Sequence, residues 1–475
     1  MKTFLSIVRA CGAHGRQDAC APGKGIFVKR DNRIELSGWG RYPRSLSSAI
    51  CPECVEEAKL PSEGSAIVRG QGRSYGDAAQ TSEGVVMLTE RLSRVIAFNE
   101  ETGVLTAEAG MTLEEVLEKF VPRGWFPSVT PGTKYVSLGG CVAADVHGKN
   151  HHREGTFGDH VSELWIVLAN EEKLRCSPVE NAEIFRATIG GMGLTGIITE
   201  LSFQLRPIET AYVAVQHHAA RNLSALLEMF EDEAFDDDYT VAWVDCLARG
   251  AKLGRGVLMR GHHASLEELP ENTKEPLHLK HRAQFNLSFD FPSWTLNAFT
   301  AAAFNELYFR RQGARGSEFI SDYESFFYPL DRIGNWNRLY GRRGFVQYQC
   351  VIPAARAGVG MRRLLEEIAH SKYPCFLAVL KRFGAEGQGL LSFPMEGYTL
   401  ALDMAVGDAQ FFKFLDRLDE IVIEHEGRVY LAKDARLNAA TFRAMYPRLA
   451  EWQRIKRSVD PDGRFRSDLS QRLAL

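Results

Sequence analysis

Apolar and polar positions change period repeatedly along this chain, and each change marks an element. Thr112 and Glu115 stand at capping-box spacing, and Leu113, Val116, Leu117 and Phe120 follow as one stripe of period 3.6, so a helix starts there and ends near Pro122. Short apolar runs at 65–68, 85–88, 104–107 and 161–168 predict strands, and a short helix is expected over 181–188. Alternation then becomes clean, with Thr199, Leu201, Phe203 and Leu205 on one face and Glu200, Ser202 and Gln204 on the other. In the second half, strands at 376–382 and 398–404 flank a helix at 409–424 whose stripe is Phe411, Leu415, Leu418 and Val422, with Gly427 as its C-cap glycine. Phe442, Met445, Leu449, Trp452 and Ile455 recur at helical spacing and belong to the core, while the basic remainder from Arg454 to Arg472 reads as a solvated face. The acidic patch 231–238 reads as a solvated loop. The proline-broken run 262–282 reads as a mobile surface loop, a candidate lid.

Three glycine clusters interrupt these periodic segments. The stretch 131–160 packs six glycines and four histidines into thirty positions. It is not expected to form an ordinary helix, because each interior glycine costs about 1 kcal/mol relative to alanine. Gly70-Gln71-Gly72-Arg73-Ser74-Tyr75-Gly76-Asp77 resembles the dinucleotide fingerprint, but its third glycine falls one position late and Tyr75 stands in its place. A Walker loop fails for lack of Gly-Lys-Ser/Thr. What survives is a turn whose backbone N–H groups suit a pyrophosphate, with Arg73 adding charge or pairing with a carboxylate. The third cluster runs from Gly190 to Gly196.

Composition narrows the class. With 475 residues, two domains are the expectation, and 45% hydrophobic with 25% charged residues is globular. A net charge of −3 gives no footprint for nucleic acid. The apolar stretch Phe4 to Val8 is too short for a signal h-region or a span, so a cytoplasmic or inner-membrane-peripheral protein is expected. Nine scattered cysteines, with Cys51 and Cys54 as a lone CPEC pair, point to reduced thiols.

The segments GRSYGD (72–77), GGCVAADVHGKNHH (139–152), GGMGLTGII (190–198), FFYPLDRIGNWNRLYG (326–341), QYQCVIP (347–353), YLAKDAR (430–436) and MYPR (445–448) resemble the FAD oxidoreductases of the vanillyl-alcohol oxidase, or p-cresol methylhydroxylase, type. Within that family they are most similar to oxidases of lipid-linked ribose. The resemblance implies an α+β fold: a two-part FAD-binding domain at 37–207 after a leader at 1–36, then a substrate domain at 208–425 with an antiparallel sheet. A C-terminal segment, 426–475, returns to the FAD domain. The implied activity is oxidation of a sugar secondary alcohol, the 2′-hydroxyl of polyprenyl-phosphoryl-β-D-ribose. A separate NAD(P)H-dependent keto-sugar reductase would complete an epimerisation to arabinose, a cell-wall precursor. The alternative is an oxidase of a free polyol, sugar or aldonolactone. A lipid substrate would bring peripheral membrane contact.

The flavin takes hydride, so the protein must hold the substrate and accept a hydroxyl proton. By alternation Lys433 shares a face with Leu431 on a short strand, and spacing alone favours a surface ammonium paired with Asp434; the resemblance, whose lysine in this motif faces flavin and substrate, makes it the leading candidate. His147 is the second catalytic candidate. The resemblance places Tyr328, Gln347, Gln349 and Lys381 at the substrate, with Lys381 suited to a phosphate. It places Gly70, Gly72, Arg73, Ser74, Tyr75, Gly76, Asp77, Gly132, Gly139, Gly140, Ala144, His147, Ile198 and Tyr430 at FAD. Relatives that bind flavin covalently have histidine where Arg73 stands, and arginine lacks a nucleophilic ring nitrogen, so non-covalent FAD is expected. Where mycobacterial relatives have a cysteine near the flavin this chain has Ala401, which implies weaker thiol-directed inhibition. No metal is expected.

Overall fold

The computed structural model describes residues 33–235, 237–279, 284–292, 295–314 and 318–475. The leader through residue 32, residue 236 of the acidic patch and residues 280–282 of the polar run lie outside them.

The chain builds two small sheets before a large one. Strand Arg33–Ser37 pairs antiparallel with Arg44–Ile50, and both Arg44–Ile50 and Ala66–Arg69 lie parallel to Val85–Leu88. Val86 and Met87 are wholly buried in two different core clusters, as expected of a strand covered on both faces. The second sheet runs Val95–Phe98, Val104–Glu108, Ile197–Pro207, Val161–Val167, Lys173–Cys176, all antiparallel. Its long central strand buries Leu201, Phe203 and Leu205, but Ser202, expected to face outward, is buried as well. The hydroxyl of Thr106 on the neighbouring strand, 2.8 Å away, satisfies it there. The capping box of Thr112 and Glu115 starts helix Leu113–Phe120 as the sequence predicts.

Eight antiparallel strands make the third sheet, ordered Phe319–Asp322, Tyr212–Ala220, Gly256–His263, Tyr239–Val244, Leu377–Phe383, Gly397–Ala405, Phe345–Pro353, Arg428–Val429. Alternation divides its residues. Ala242, Leu258, Leu380, Leu400, Tyr348 and Cys350 join the core with helices Leu223–Glu231, Ala354–His370 and Ala409–Glu424, whereas the intervening residues look back toward the first two sheets. The architecture is α+β.

Several local expectations are corrected. Helix Ala409–Glu424 ends in a Schellman arrangement in which Glu426, not Gly427, is left-handed at φ 60°. Gly427 is needed because a Cβ there would lie 2.3 Å from the Val351 carbonyl. In the described part of the run after His263, Ala264 and Leu269 pack on Ala214, and no residue from 264 to 279 lines the central cavity, so this part does not cover it. The acidic patch is tied down, with Glu231 bonded to Tyr398 and Arg382, Asp237 to Arg260, and Asp238 to Arg206. The basic tail is solvated at Arg454, Arg457 and Arg466 but tied down elsewhere. Arg472 bridges the buried carboxylates of Asp77 and Asp434, and Lys456 pairs with buried Asp460. Helix Leu449–Val459 packs on Ala182–Thr188, where Trp452 donates its indole N–H to the Ala187 carbonyl at 2.9 Å.

Candidate active site

Between the small sheets and the large one lies a cavity of about 720 Å³. The three glycine clusters form one wall. Gly70 follows strand Ala66–Arg69 directly, and a Cβ there would lie 2.0 Å from the Ser137 hydroxyl, so the first turn can touch the second only without a side chain. Ser137 in turn caps helix Leu138–Ala143, accepting from the Gly140 N–H at 3.3 Å. The stretch 131–160 therefore does contain a helix, and Gly139 and Gly140 sit inside it. It is tolerated because Gly139 needs its missing Cβ: Ala109 would meet that atom at 3.0 Å.

Of the residues expected at FAD, Gly70, Gly72, Arg73, Ser74, Tyr75, Gly132, Gly139, Gly140, Ala144, His147, Ile198 and Tyr430 all line this cavity. Gly76 and Asp77 do not. Gly76 backs onto the Asp434 carbonyl, where a Cβ would fall at 1.8 Å, and Asp77 is turned away to Arg472. Arg73 takes no carboxylate partner of the kind expected; its guanidinium lies between the rings of Trp39, 4.1 Å, and Tyr135, 5.0 Å. Its Nε has no hydrogen-bond partner.

The large sheet supplies the opposite wall. Gln347, Gln349 and Lys381 face the cavity from strands Phe345–Pro353 and Leu377–Phe383, and Ala401 from Gly397–Ala405. Gln349 donates from Nε2 to Thr399 Oγ1 at 3.1 Å and lies 3.0 Å from His147 Nε2. With that amide donating, the imidazole proton sits on Nδ1, which has no protein partner. Burial, reinforced by Lys381, His151 and Lys433, holds His147 well below its ordinary pKa, so the ring is neutral. Tyr328 does not reach the cavity: it is buried behind it, its hydroxyl 2.6 Å from Thr130 Oγ1.

Lys433 lies on a turn rather than a strand. The sheet ends at Val429, and the amide of Lys433 donates to the Tyr430 carbonyl at 3.0 Å. Leu431 points into the core while Lys433 points into the cavity, its Nζ 3.7 Å from the Tyr75 ring centroid. Asp434 is not its partner, being taken by Arg472. Burial pushes Lys433 down to about 7, with Asp403 opposing the shift. Asp403 is itself pushed up to about 7 by burial, against the pull of the Gln347 amide, which donates to its Oδ1 at 2.5 Å, and of Lys433. Its Oδ2 has no partner.

Sequence reasoning missed four contributors. Lys149 lines the cavity, bonded to the Phe326 carbonyl and pushed down to about 7 by burial; it lies two residues from His147 and was hidden by it. Trp39 and Asp403 carry no motif. Helix Ala298–Gly313, which sends Phe304, Tyr308 and Gln312 to the cavity, has apolar residues on both faces and so no clear stripe. Crossing the sheet in register from Gln349 through Ala401 and Val379 to Trp243, the lining changes from amide to aliphatic to aromatic. Trp243 then meets Tyr308 of that helix, ring centroids 4.8 Å apart.

Glycine turns facing a sheet that carries amides and lysines across one cavity suit an elongated, anionic cofactor such as a flavin dinucleotide. Residues 62–177 match the family described as FAD binding domain, and residues 351–473 match that described as D-arabinono-1,4-lactone oxidase. The chain is 38% identical over 451 residues to decaprenylphosphoryl-beta-D-ribose oxidase of Mycolicibacterium smegmatis, covering 93% of this chain and 97% of that one. An uncharacterised Streptomyces coelicolor protein is 33% identical over 77% of this chain and all of its own length. L-gulono-1,4-lactone dehydrogenase of Mycobacterium tuberculosis is 23% identical over 90% of this chain and 95% of its own. The chain belongs to the decaprenylphosphoryl-β-D-ribose oxidase family of FAD-dependent enzymes.

FAD fits the residues present. A Cβ added at Gly132 would meet no protein atom within 4 Å, so this backbone borders open cavity and leaves room for a ligand at van der Waals distance. His147, whose Nδ1 is buried without a protein partner, lines the same cavity. No helix among the described residues is long and apolar enough to cross a membrane.

Proposed function

We propose that this enzyme oxidises the 2′-hydroxyl of a polyprenyl-phosphoryl-β-D-ribose to the 2′-keto sugar. A separate NAD(P)H-dependent reductase would then complete the epimerisation to arabinose, with the enzyme working beside the inner membrane. The observation that carries this reading is the lining: Lys149, Lys381 and Lys433 serve a cavity whose surface turns apolar toward Trp243. A phosphodiester between a sugar and an isoprenoid needs both, and a free aldonolactone needs neither.

The glycine turns would hold FAD without a covalent bond, and the flavin would supply the acceptor for the hydride lost from C2′. Lys433, its amine available near neutral pH, takes the hydroxyl proton, so the alcohol loses hydride and proton and becomes a ketone. Gln347 and Gln349, fixed by Asp403 and Thr399, orient the sugar. Lys381 meets the phosphate as a point charge. Neutral His147 donates from Nδ1 without adding a second cation beside Lys433.

Anaerobic mixing with candidate substrates tests the reading. Bleaching of the flavin by prenyl-phosphoryl ribose but not by free sugars or aldonolactones is the expected result. The reverse pattern would favour the second reading, a lactone or polyol oxidase, to which the match over residues 351–473 gives its footing.

A further inference from the structure

The apolar row that crosses the large sheet ends at Trp243, beneath helix Ala298–Gly313. The inner side of this helix is anchored. Ala301 and Asn305 are buried, Asn305 Nδ2 donates to Asp245 Oδ1 at 2.7 Å, and Tyr308 packs on Trp243. Its outer side is apolar and bare: Phe299 is 81% and Leu307 66% exposed, with Ala303 between them at four-residue spacing. Arg310, paired with Glu306 at 2.6 Å, and Arg311 stand exposed at its C-terminal end.

Exposed large apolar side chains are not spread evenly over the molecule. Of twelve among the described residues, five lie between 285 and 307: Phe285, Phe289, Phe299, Phe304 and Leu307. They include every exposed phenylalanine of that set. Single exposed apolar residues are ordinary, but Phe299 and Leu307, aligned on one face of a helix that ends in Arg310 and Arg311, mark an interaction surface. Phe304 joins the two environments, because it is 49% exposed and also lines the cavity.

We propose that the outer face of helix Ala298–Gly313 docks on an anionic lipid bilayer, so that a prenyl chain passes from the membrane past Phe304 into the apolar arm of the cavity. Large apolar side chains enter the acyl boundary while the two arginines meet anionic headgroups, the pairing that holds an amphipathic helix in an interface. The cavity's apolar arm continues this surface inward, which selects a lipid over a protein partner. This inference rests on the lipid-linked substrate proposed above.

The test uses the full-length holoenzyme, sedimented with vesicles of equal parts phosphatidylcholine and phosphatidylglycerol, against the Phe299→Ser/Leu307→Ser variant. Neither side chain lines the cavity, so flavin reduction by soluble farnesyl-phosphoryl ribose should match wild type and report an intact fold. The expected result is that wild type pellets with the vesicles and the variant binds them roughly tenfold or more weakly. Wild type left in the supernatant, or both proteins pelleting alike, would overturn the docking face. If farnesyl-phosphoryl ribose fails to bleach the wild-type flavin, the substrate reading falls, and the sedimentation result still decides the surface.

Discussion

Lys433 holds its amine 3.7 Å from the centre of the Tyr75 ring, where a C-terminal turn packs directly on the first glycine turn, the Tyr75 N–H donating to the Ala432 carbonyl at 2.9 Å. An ammonium there is desolvated, and its pKa is pushed from 10.5 to about 7. Since the neutral amine is the base, flavin reduction should rise as pH increases through about 7 and then level off. Lys433→Ala, with FAD retained, should slow reduction about 10²–10⁴-fold and remove that limb. Stopped-flow reduction across pH 5.5 to 9 or so measures both; a variant with wild-type rates would take Lys433 out of the chemistry.

Asp403 raises the pKa of Lys433, so removing its charge should lower that pKa further. In Asp403→Asn the acidic limb should move to lower pH. Because both groups titrate near 7, the wild-type limb belongs to the pair, and the variant should show a single simple titration. An unmoved limb would mean that the two groups do not interact.

FAD should come away from the protein on acid precipitation, leaving a yellow supernatant, because Arg73 is held between Trp39 and Tyr135 and has no nucleophile to offer. A yellow pellet would point to a link through another residue.

Gly132→Val should separate flavin affinity from folding. A Cβ there meets no protein atom within 4 Å, and the side chain takes up cavity space. FAD affinity should drop about ten- to a hundredfold while the apoprotein melts as wild type does. Titration of apoprotein with FAD, beside thermal unfolding without it, checks the two halves.

Arg472 stands three residues before Leu475 and neutralises Asp77 and Asp434, whose side chains are only 4% and 2% exposed. Arg472→Met should cost about 3–5 kcal/mol, because two buried carboxylates lose their partner. Chemical denaturation at neutral pH measures the loss. Wild-type stability in that variant would show the pair to be dispensable.

What the order of residues determined by itself was local. The capping box at Thr112 and Glu115 and the stripe of helix Ala409–Glu424 are governed by neighbours within a turn or two, so periodicity exposed them. The glycine clusters announced places where backbone approaches something, because glycine has few other reasons to accumulate. What tertiary structure alone decided was direction. Alternation could not tell that Lys433 lies on a turn aimed at Tyr75, that Asp434 belongs to Arg472, or that Tyr328 stops behind Thr130. Those outcomes depend on segments from 38 to 358 residues apart meeting in one core. Asp403 was equally illegible, since a carboxylate on a strand becomes part of a site only when burial removes its water and leaves Gln347 and Lys433 beside it.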